Sequence, residues 1–512
     1  MATPTTYQKV TDWNTEFLAA FPSHALYQDS AGTLATKTIE DPVGLVLDKK
    51  NGLVLGPELV VNGDNESALY TGATANPINA TVARGAAPGG GFACVVTPTG
   101  GLVTHHATLN IAAGKAYKIT VRVYVPTGSI ATARLFDATD GSWLGSTSTV
   151  KDAWVTLQGI RPAGKAGAWY IGIGDTSTAS IDGAVFYVDD LSVREIPGNH
   201  LIQPTSGNRP TWTRRVNILN ATATLSTQTA TTIAAQYKLS FTGAGSIALS
   251  GTATGTITAG TNLVTCTAGT LTLTVTGAVT LADMRLSSDV ATPAYQAVRS
   301  ATDYDYVGFP SKIKHNGTNS FLYTASTMDL SATDKVTVFV GVQKLSDASA
   351  GAVTEFSENS GPNNGTFALF APSDIASAVY GFRSNGTAPQ LTISNTVFAA
   401  PITSVLTGVG NISEDVVSLR GNGVSIASSS ADQGTGNFGN YTLYVGSRAG
   451  TSRWFNGAWT QQIIRGALTS TAQEAQAETY VRNKTLAYPY YGYYGYPGQI
   501  GQSFTVGVST LL

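Results

Sequence analysis

Apolar and polar residues alternate along much of the chain, which is the pattern of strands that bury one face. In residues 117–125 the odd-numbered positions are apolar, so one face of a strand would pack in a core. The same period of two appears in residues 185–193, 336–342 and 417–426, and the last of these holds an Asn422-Gly423 hairpin turn. The pattern predicts an all-β, multidomain β-sandwich or jelly-roll protein.

Helical periodicity is scarce. Ser470 and Gln473 have the spacing of a capping box, and Ala477, Tyr480 and Val481 then fall on one helical face. The sequence therefore predicts one short C-terminal helix. A second short helix is predicted around residues 13–18.

Residues 217–286 are rich in Thr, Gly and Ala, yet their larger apolar residues keep the period of two. We expect a small sandwich with a hydroxyl-rich outer face instead of a disordered linker. The residues expected to face its core are Tyr237, Leu239, Phe241, Ile247, Leu249, Leu271, Leu273 and Val275.

Composition narrows the possible functions. The chain has 512 residues, of which only 12% are charged, and its formal net charge is -2 without a basic cluster. Nucleic-acid binding is disfavoured because it needs a basic surface. No apolar stretch has the length of a membrane span, and the first residues do not resemble a signal peptide. Cys94 and Cys266 are too few for a disulfide framework, so we expect folding in the host cytoplasm.

Several C-terminal segments carry a family resemblance. They are residues 336–342 after Thr333-Asp334-Lys335, the hairpin at Asn422, residues 443–448, and residues 455–457 leading to 463–468. Together with the final helix, these resemble the concanavalin A-like or laminin G-like sandwich modules of tailed-phage virion proteins. The resemblance implies a lectin-like fold and a place in a virion.

The opening of the same phage modules resembles residues 42–49. In that family the next pieces are Gly-Asn-His and Pro-Thr-Trp, which here appear only at residues 198–200 and 210–212. We therefore predict that residues 51–197 are an insertion into a discontinuous lectin-like domain. The predicted segments are 1–50 and 198–216 of that domain, the insertion 51–197, the small sandwich 217–288, the main sandwich 289–487 and a tail 488–512.

Residues 61–66 and 186–191 resemble the opening and closing motifs of jelly-roll carbohydrate-binding modules. The tryptophan that this family carries soon after the opening motif is replaced here by residues 70–72. The resemblance implies a structural calcium ion, for which Asp64, Glu66 and Asp189 are the candidate ligands.

Candidate catalytic groups are few. Glycosidases of the concanavalin A-like fold resemble one another in placing paired acids at alternate positions of one strand. Glu355 and Glu358 are spaced by three, so we place them in a loop. His105 and His106 are neighbours in a strand and would face opposite sides. There is no nucleophile elbow and no zinc-type spacing, so we predict that the protein is not an enzyme and requires no cofactor.

Sugar binding needs flat aromatic faces with polar groups at their rim. The candidate glycan-binding residues are Trp143, Trp169, Trp454 and Trp459. Trp143 is favoured because it lies among Gly, Ser and Asp residues, where we expect a loop. Core packing is the alternative for each of the four.

The uncharged tail alternates Tyr with Gly and Pro, which excludes a helix. Docking on a neighbouring subunit or virion protein would bury its rings, whereas a flexible terminus is the alternative. The tyrosines proposed for this contact are Tyr490, Tyr491, Tyr493, Tyr494 and Tyr496.

Together these observations favour a non-enzymatic phage virion surface protein, a tail-fibre or tail-tip adhesin that contacts host surface glycans. A capsid or tail decoration protein is the first alternative and a glycan depolymerase the second. The expected partners are other virion proteins, further copies of the chain as a trimer, and a host glycan, with neither nucleic acid nor membrane insertion.

Overall fold

The computed structural model describes residues 26–28, 30, 40–46, 48, 55–70, 79–99, 103–112, 115–137, 142–161, 167–175, 183–289, 293–358, 364–487 and 508–511. Strands dominate these residues, and one helix near the C-terminal end joins them. The predicted all-β, multidomain sandwich with one short C-terminal helix is therefore confirmed. The helix predicted around residues 13–18 lies outside the described residues.

The first strands are short, and a nine-stranded unit follows them. The strands up to residue 195 are β1 Leu26–Tyr27, β2 Leu45–Val46, β3 Ala80–Ala86, β4 Phe92–Pro98, β5 Val103–Ile111, β6 Tyr117–Tyr124, β7 Ala133–Asp137, β8 Ser142–Ser148, β9 Trp154–Arg161, β10 Gly167–Asp175 and β11 Phe186–Glu195. Strands β3 to β11 pair only with one another, in the order β3-β4-β11-β6-β9-β8-β7-β10-β5. Side chains of β6 alternate between buried and partly exposed, as the sequence predicts. We call this unit the inserted sandwich.

A five-stranded unit lies further along the chain. The next strands are β12 Leu201–Ile202, β13 Thr211–Thr213, β14 Gln228–Thr232, β15 Ala235–Gly251, β16 Gly255–Cys266, β17 Gly269–Thr276 and β18 Thr280–Leu286. Strands β14 to β18 form the five-stranded unit. Seven of the residues predicted to face its core are buried there, and Val275 packs against them partly exposed. Its Thr and Ser residues lie mainly on the outside, because they occupy the alternate positions.

The remaining elements build the main sandwich. They are β19 Val298–Ser300, β20 Asp303–Tyr304, β21 Lys312–Asn316, β22 Leu322–Thr324, β23 Met328–Asp329, β24 Lys335–Lys344, β25 Ala352–Ser357, β26 Thr366–Phe370, β27 Gly381–Asn385, β28 Pro389–Ile393, β29 Ile402–Asn411, β30 Val416–Gly421, β31 Val424–Ser429, β32 Asn440–Val445, β33 Asn456–Arg465, α1 Thr471–Thr485 and β34 Val508–Leu511.

Two sheets face each other in this sandwich. The front sheet has the order β1-β2-β12-β22-β32-β25-β26-β27-β28, with β23 on β32. The back sheet has the order β13-β21-β33-β24-β29-β30-β31, with β34 on β33. Their inner faces share one apolar core, to which Val338, Phe356, Phe367, Phe382 and Trp459 contribute. Burial of such side chains is the main favourable term in folding.

Other elements cover two of the outer surfaces. Helix α1 has the predicted capping box, and its Ala477 and Val481 pack on Phe339 of the back sheet. The inserted sandwich packs against one end of the front sheet, where Ile160 contacts the cluster formed by Leu45 and Ile202. On the side of the front sheet away from the main core, side chains of β25 and β26 are also buried, among them Glu355, Ala368 and Phe370. No helix among the described residues is long and apolar enough to cross a membrane.

The chain leaves the front sheet before the inserted sandwich and rejoins it afterwards. Leu45–Val46 pairs antiparallel with Leu201–Ile202, although Val46 and its partner Leu201 are 155 positions apart in the chain. Beside this pair the Asp48 backbone N–H donates to His200 Nδ1 at 2.9 Å. His200 Nε2 lies 3.2 Å from the Pro197 carbonyl oxygen and donates to it. The pairing is what a discontinuous domain requires, while the segment boundaries themselves stay a prediction.

We predict that His200 makes the free energy of unfolding depend on pH. Burial lowers the pKa of His200 from 6.5 to about 4, and protonation would also remove the Nδ1 acceptor of Asp48. Between pH 4 and 6.5, His200 therefore binds a proton in the unfolded chain but stays neutral in the folded chain. The His200 contribution, at most about 3 kcal/mol, is complete above pH 6.5 and is lost as the pH falls towards 4.

The measurement is chemical denaturation of wild type and His200→Asn at several pH values between 7 and 5. Asparagine retains an acceptor for Asp48 but does not titrate. The slope of stability against pH should be smaller in the variant. Identical slopes in the two proteins would contradict this role of His200.

Candidate functional site

The front sheet carries polar and aromatic side chains in one cross-strand row. Tyr323 pairs with Tyr444, Tyr444 with Glu355, Glu355 with Ala368, and Ala368 with Arg383. Strand neighbours of these residues, such as Phe356 and Phe382, point into the core. Since side chains alternate along a strand, the row faces outward.

Four aromatic rings form a continuous strip at one side of this row. The ring centres of Tyr444 and Tyr323 are 6.1 Å apart, those of Tyr323 and Phe321 5.9 Å, and those of Phe321 and Trp454 5.7 Å. All four residues are partly exposed. The strip is therefore partly accessible to the solvent, while Tyr323 also packs against the cluster that contains Leu45 and Ile202.

A tight loop brings Trp454 to the strip. Gly450 in that loop has a φ of +67° and lies against Phe321, where an added Cβ would be 2.7 Å from the ring. A larger residue would be strained and would push the loop away. The glycine thus permits the close approach that sets Trp454 beside Phe321.

Three arginines surround a single phenylalanine next to the strip. The guanidinium carbons of Arg383, Arg448 and Arg453 lie 5.7, 5.7 and 5.2 Å from the centre of the Phe370 ring. Such cation–π contacts stabilise a desolvated guanidinium. Phe370 itself is only 2% exposed.

Glu355 partly neutralises the three arginines. Its carboxylate is fully buried and accepts hydrogen bonds from Arg448 Nε and Ser357 Oγ, both at 3.0 Å. Arg383 Nη2 lies 3.9 Å from the same carboxylate, which is too long for a hydrogen bond. Burial first, and then the charges of Arg448 and Arg453, lower the pKa of Arg383 to about 10.

We call these residues the aromatic–arginine face. Its members are Phe321, Tyr323, Tyr444, Trp454, Glu355, Phe370, Arg383, Arg448 and Arg453. Burial raises the pKa of both Tyr323 and Tyr444, so their hydroxyls are neutral at pH 7. The face therefore combines neutral hydroxyls, aromatic rings and excess positive charge, which are the groups that recognise sugars and anions.

The geometry at Glu355 does not suit acid–base catalysis. The loop predicted for Glu355 and Glu358 is wrong for Glu355, because it lies within β25, whereas Glu358 is exposed just after that strand. Glu355 is fully buried and engaged by Arg448 and Ser357. A glycosidase would need two carboxylates facing the substrate.

Two of the predicted sugar-binding tryptophans are in cores. Trp169 is 1% exposed inside the inserted sandwich, and Trp459 is fully buried between the front and back sheets. Neither ring has a face free for a sugar, so the prediction is wrong for both. Trp143 lies in strand β8, paired with Phe136, and not in the expected loop. Its side chain, like Tyr490 and the other tail tyrosines, lies outside the described residues.

The predicted calcium ligands do not converge. Asp64 accepts a hydrogen bond from the Glu66 backbone, and Glu66 accepts one from Phe92. Asp189 instead accepts from Asn65 Nδ2 at 3.3 Å. No group of three His, Cys, Asp or Glu side chains suited to a metal occurs in the described part of the chain. The three residues are therefore wrong as a shared ligand set, and calcium binding stays a prediction.

Asn65 is the polar residue of the inserted sandwich that the sequence analysis missed. Its Nδ2 also lies within hydrogen-bonding distance of the Gly63 and Val188 carbonyl oxygens, so it ties the opening motif to the closing one. Asn65 has a positive φ of 55° and no exposed surface. Asparagine is one of the few residues that tolerate this conformation, which is a signal present in the motif itself.

A cleft lies between the back sheet and the five-stranded unit. This cleft has a volume of about 620 Å³ and is lined by Lys312, Lys314, Gln343, Thr229 and Tyr237 among others. Tyr237 is buried and its hydroxyl accepts a hydrogen bond from the Ile233 backbone. The cleft therefore offers no flat aromatic surface, in contrast to the aromatic–arginine face.

We predict opposite behaviour for two neighbouring tryptophans. Trp459→Ala should cost about 3–5 kcal/mol of stability because it leaves a cavity in the core. Trp454→Ala should cost roughly 1 kcal/mol, since it loses only ring contacts at a partly exposed position. Calorimetric unfolding of both variants measures the difference, and equal losses would contradict the assignment of Trp454 to the surface.

Comparisons with known proteins identify no family. No family model matches the chain, and no curated protein is similar to it. Among solved structures, a heptameric SAP-like pentraxin from Limulus polyphemus is 12% identical, with a TM-score of 0.27, over 33% of this chain and 81% of its own. The Ruminococcus gnavus IT-sialidase CBM40 bound to alpha2,3 sialyllactose is 16% identical, with a TM-score of 0.25, over 32% and 95%. The receptor-binding domain of botulinum neurotoxin mosaic serotype C/D is 12% identical, with a TM-score of 0.25, over 33% and 41%.

Proposed function

We propose that this chain is a non-enzymatic, glycan-binding protein of a tailed-phage virion surface, and that the aromatic–arginine face holds the sugar. The observation that carries the proposal is the partly exposed strip of Tyr444, Tyr323, Phe321 and Trp454 beside three guanidinium groups. Partly exposed apolar ring surface beside charged groups is a binding feature.

The chemistry of a pyranose fits such a strip. Its C–H face packs on a flat ring, while its hydroxyls need donors and acceptors around the ring. Trp454 and Phe321 supply the rings, and the Tyr323 and Tyr444 hydroxyls and the guanidinium of Arg453 supply the polar groups. Because Gly450 and the strand pairs fix these side chains, little order has to be gained on binding.

Placement in a virion rests on the resemblance of the C-terminal segments to phage modules. The low charge and the small number of cysteines, two in the chain and both buried, are compatible with folding in a host cytoplasm. Assembly as a trimer with other virion proteins would present several weak sugar sites together, which multiplies the affinity for a cell surface. The tyrosine-rich tail is proposed for contacts with subunits or virion proteins.

A decoration protein of the capsid or tail is the second candidate, because sandwiches can also serve only to join neighbours. The partly exposed aromatic strip favours adhesion over that role. A depolymerase is disfavoured by the engagement of Glu355 with Arg448 and Ser357.

The experiment is binding of the purified full chain to intact host cells, with and without periodate oxidation of their surface sugars. We expect binding that periodate abolishes and that Trp454→Ala weakens about tenfold, which corresponds to about 1.4 kcal/mol. Tyr306→Ala is the matched control, because Tyr306 is an exposed aromatic residue outside the face and should bind like wild type.

Two outcomes would contradict the proposal. Binding that survives periodate would exclude a glycan as the receptor. Absence of binding by protein that is folded and oligomeric would favour the decoration role.

A further inference from the structure

We propose that Arg383, Arg448 and Arg453 form a subsite for an anionic group on the sugar, a carboxylate or a sulfate. The inference rests on the proposed function for the carbohydrate part of the ligand. The features that indicate the anion subsite are unsatisfied hydrogen-bond donors and an excess of positive charge in the arginine cluster.

The first observation is an arginine whose donors lack acceptors. Arg383 is 8% exposed, and neither its Nε nor its Nη2 donates a hydrogen bond within the described chain. Buried guanidinium groups are normally bonded to a carboxylate or carbonyl, because a desolvated unpaired donor is costly. An anion placed against Arg383 would accept from both atoms in the forked geometry that guanidinium provides.

A hydroxyl in the same cluster is also unsatisfied. Ser373 Oγ is buried and has no hydrogen-bond partner among the described residues. The Ser373 carbonyl oxygen accepts from Arg453 Nη1 at 3.1 Å, so the residue adjoins the arginines. Its free hydroxyl adds a donor, which suits an anion with several oxygens.

The charges of the cluster do not balance. Among the described residues, three guanidinium groups face two carboxylates, the buried Glu355 and the exposed Asp374, which acts on Arg453. Burial and the neighbouring positive charges lower the pKa of both Arg383 and Arg453. One further negative charge would balance the cluster and relieve that repulsion.

The position of the cluster selects a sugar as the carrier of the anion. Glu355 is the cross-strand partner of Tyr444 and holds Arg448, so the arginines adjoin the aromatic strip. Arg453 also precedes Trp454 directly in the chain. A pyranose stacked on Trp454 would thus direct a ring substituent towards the guanidinium groups, which makes a uronic acid or a sulfated sugar the ligand class.

The test compares three monosaccharides that share one ring: galactose, galacturonate and galactose 6-sulfate. Thermal unfolding of the full chain is measured with each of them at equal ionic strength, with sodium chloride added to the galactose sample. A ligand that binds only the folded protein raises its unfolding temperature. We expect a larger rise with galacturonate or galactose 6-sulfate than with galactose, and the stronger of the two identifies the anionic group.

Arg383→Gln is the decisive variant. It removes a charge that makes no hydrogen bond, so the protein should still fold, which circular dichroism checks. We expect at least a tenfold loss of affinity for the charged sugar and unchanged affinity for galactose. Arg453→Gln should also weaken binding of the charged sugar, and it provides a second variant if Arg383→Gln fails to fold.

The anion subsite would be overturned if galactose and both charged sugars raised the unfolding temperature of wild type equally. It would also be overturned if both variants bound the charged sugar as tightly as wild type does. Periodate-sensitive cell binding would still stand in that case, so the two failures are distinguishable. The opposite result is also informative. If the charged sugar stabilised wild type but not Arg383→Gln, and the protein did not bind to cells, the subsite would stand and the adhesin role would be overturned.

Discussion

The two-residue period of the β-strand imposes the constraint on which this molecule depends. Each strand that buries Phe356, Phe367 or Phe382 in the core also presents the alternate residues on the other side of the sheet. Those outer faces must be covered by another element or be built from groups that tolerate water. Helix α1 covers the back sheet, and the inserted sandwich covers one end of the front sheet. The aromatic–arginine face lies on the remaining part of the front sheet, where Glu355 and Phe370 are buried and Trp454 is partly exposed.

The inserted sandwich affects this face through the strand order. Leu201–Ile202 pairs with Leu45–Val46 on one side and with residues 323–324 on the other. The strand that carries Tyr323 is therefore held between the return of the chain and β32, which carries Tyr444. His200 is buried beside the same pair of strands. It accepts a hydrogen bond from the Asp48 backbone only while its imidazole is neutral, so this edge of the sheet is most stable when His200 is unprotonated. The aromatic strip thus depends on how the chain re-enters the front sheet.

Sequence patterns predicted the elements better than the surfaces. The period of two identified the strands and the buried residues of the five-stranded unit, and the spacing of Ser470 and Gln473 identified the helix. The prediction that Trp169 and Trp459 bind a sugar was wrong, since both side chains are buried. Alternation along a strand does not tell which of its two faces a neighbouring sheet will cover. The loop expected around Trp143 is a strand, since tertiary pairing overrides the preference of Gly and Ser for turns. The arginine cluster escaped prediction because its members come from β27 and a distant loop, and because a register shift next to Thr354 changes which residues of β25 face outward.

We propose that the aromatic–arginine face, and not the cleft beside Lys312, holds an acidic sugar. The most direct measurement is a crystal structure of the full chain with a galacturonate oligosaccharide bound. The account predicts a sugar ring stacked on Trp454 with its carboxylate at Arg383. A saccharide bound instead in the cleft of about 620 Å³ beside Lys312 and Tyr237, or on the inserted sandwich, would contradict it.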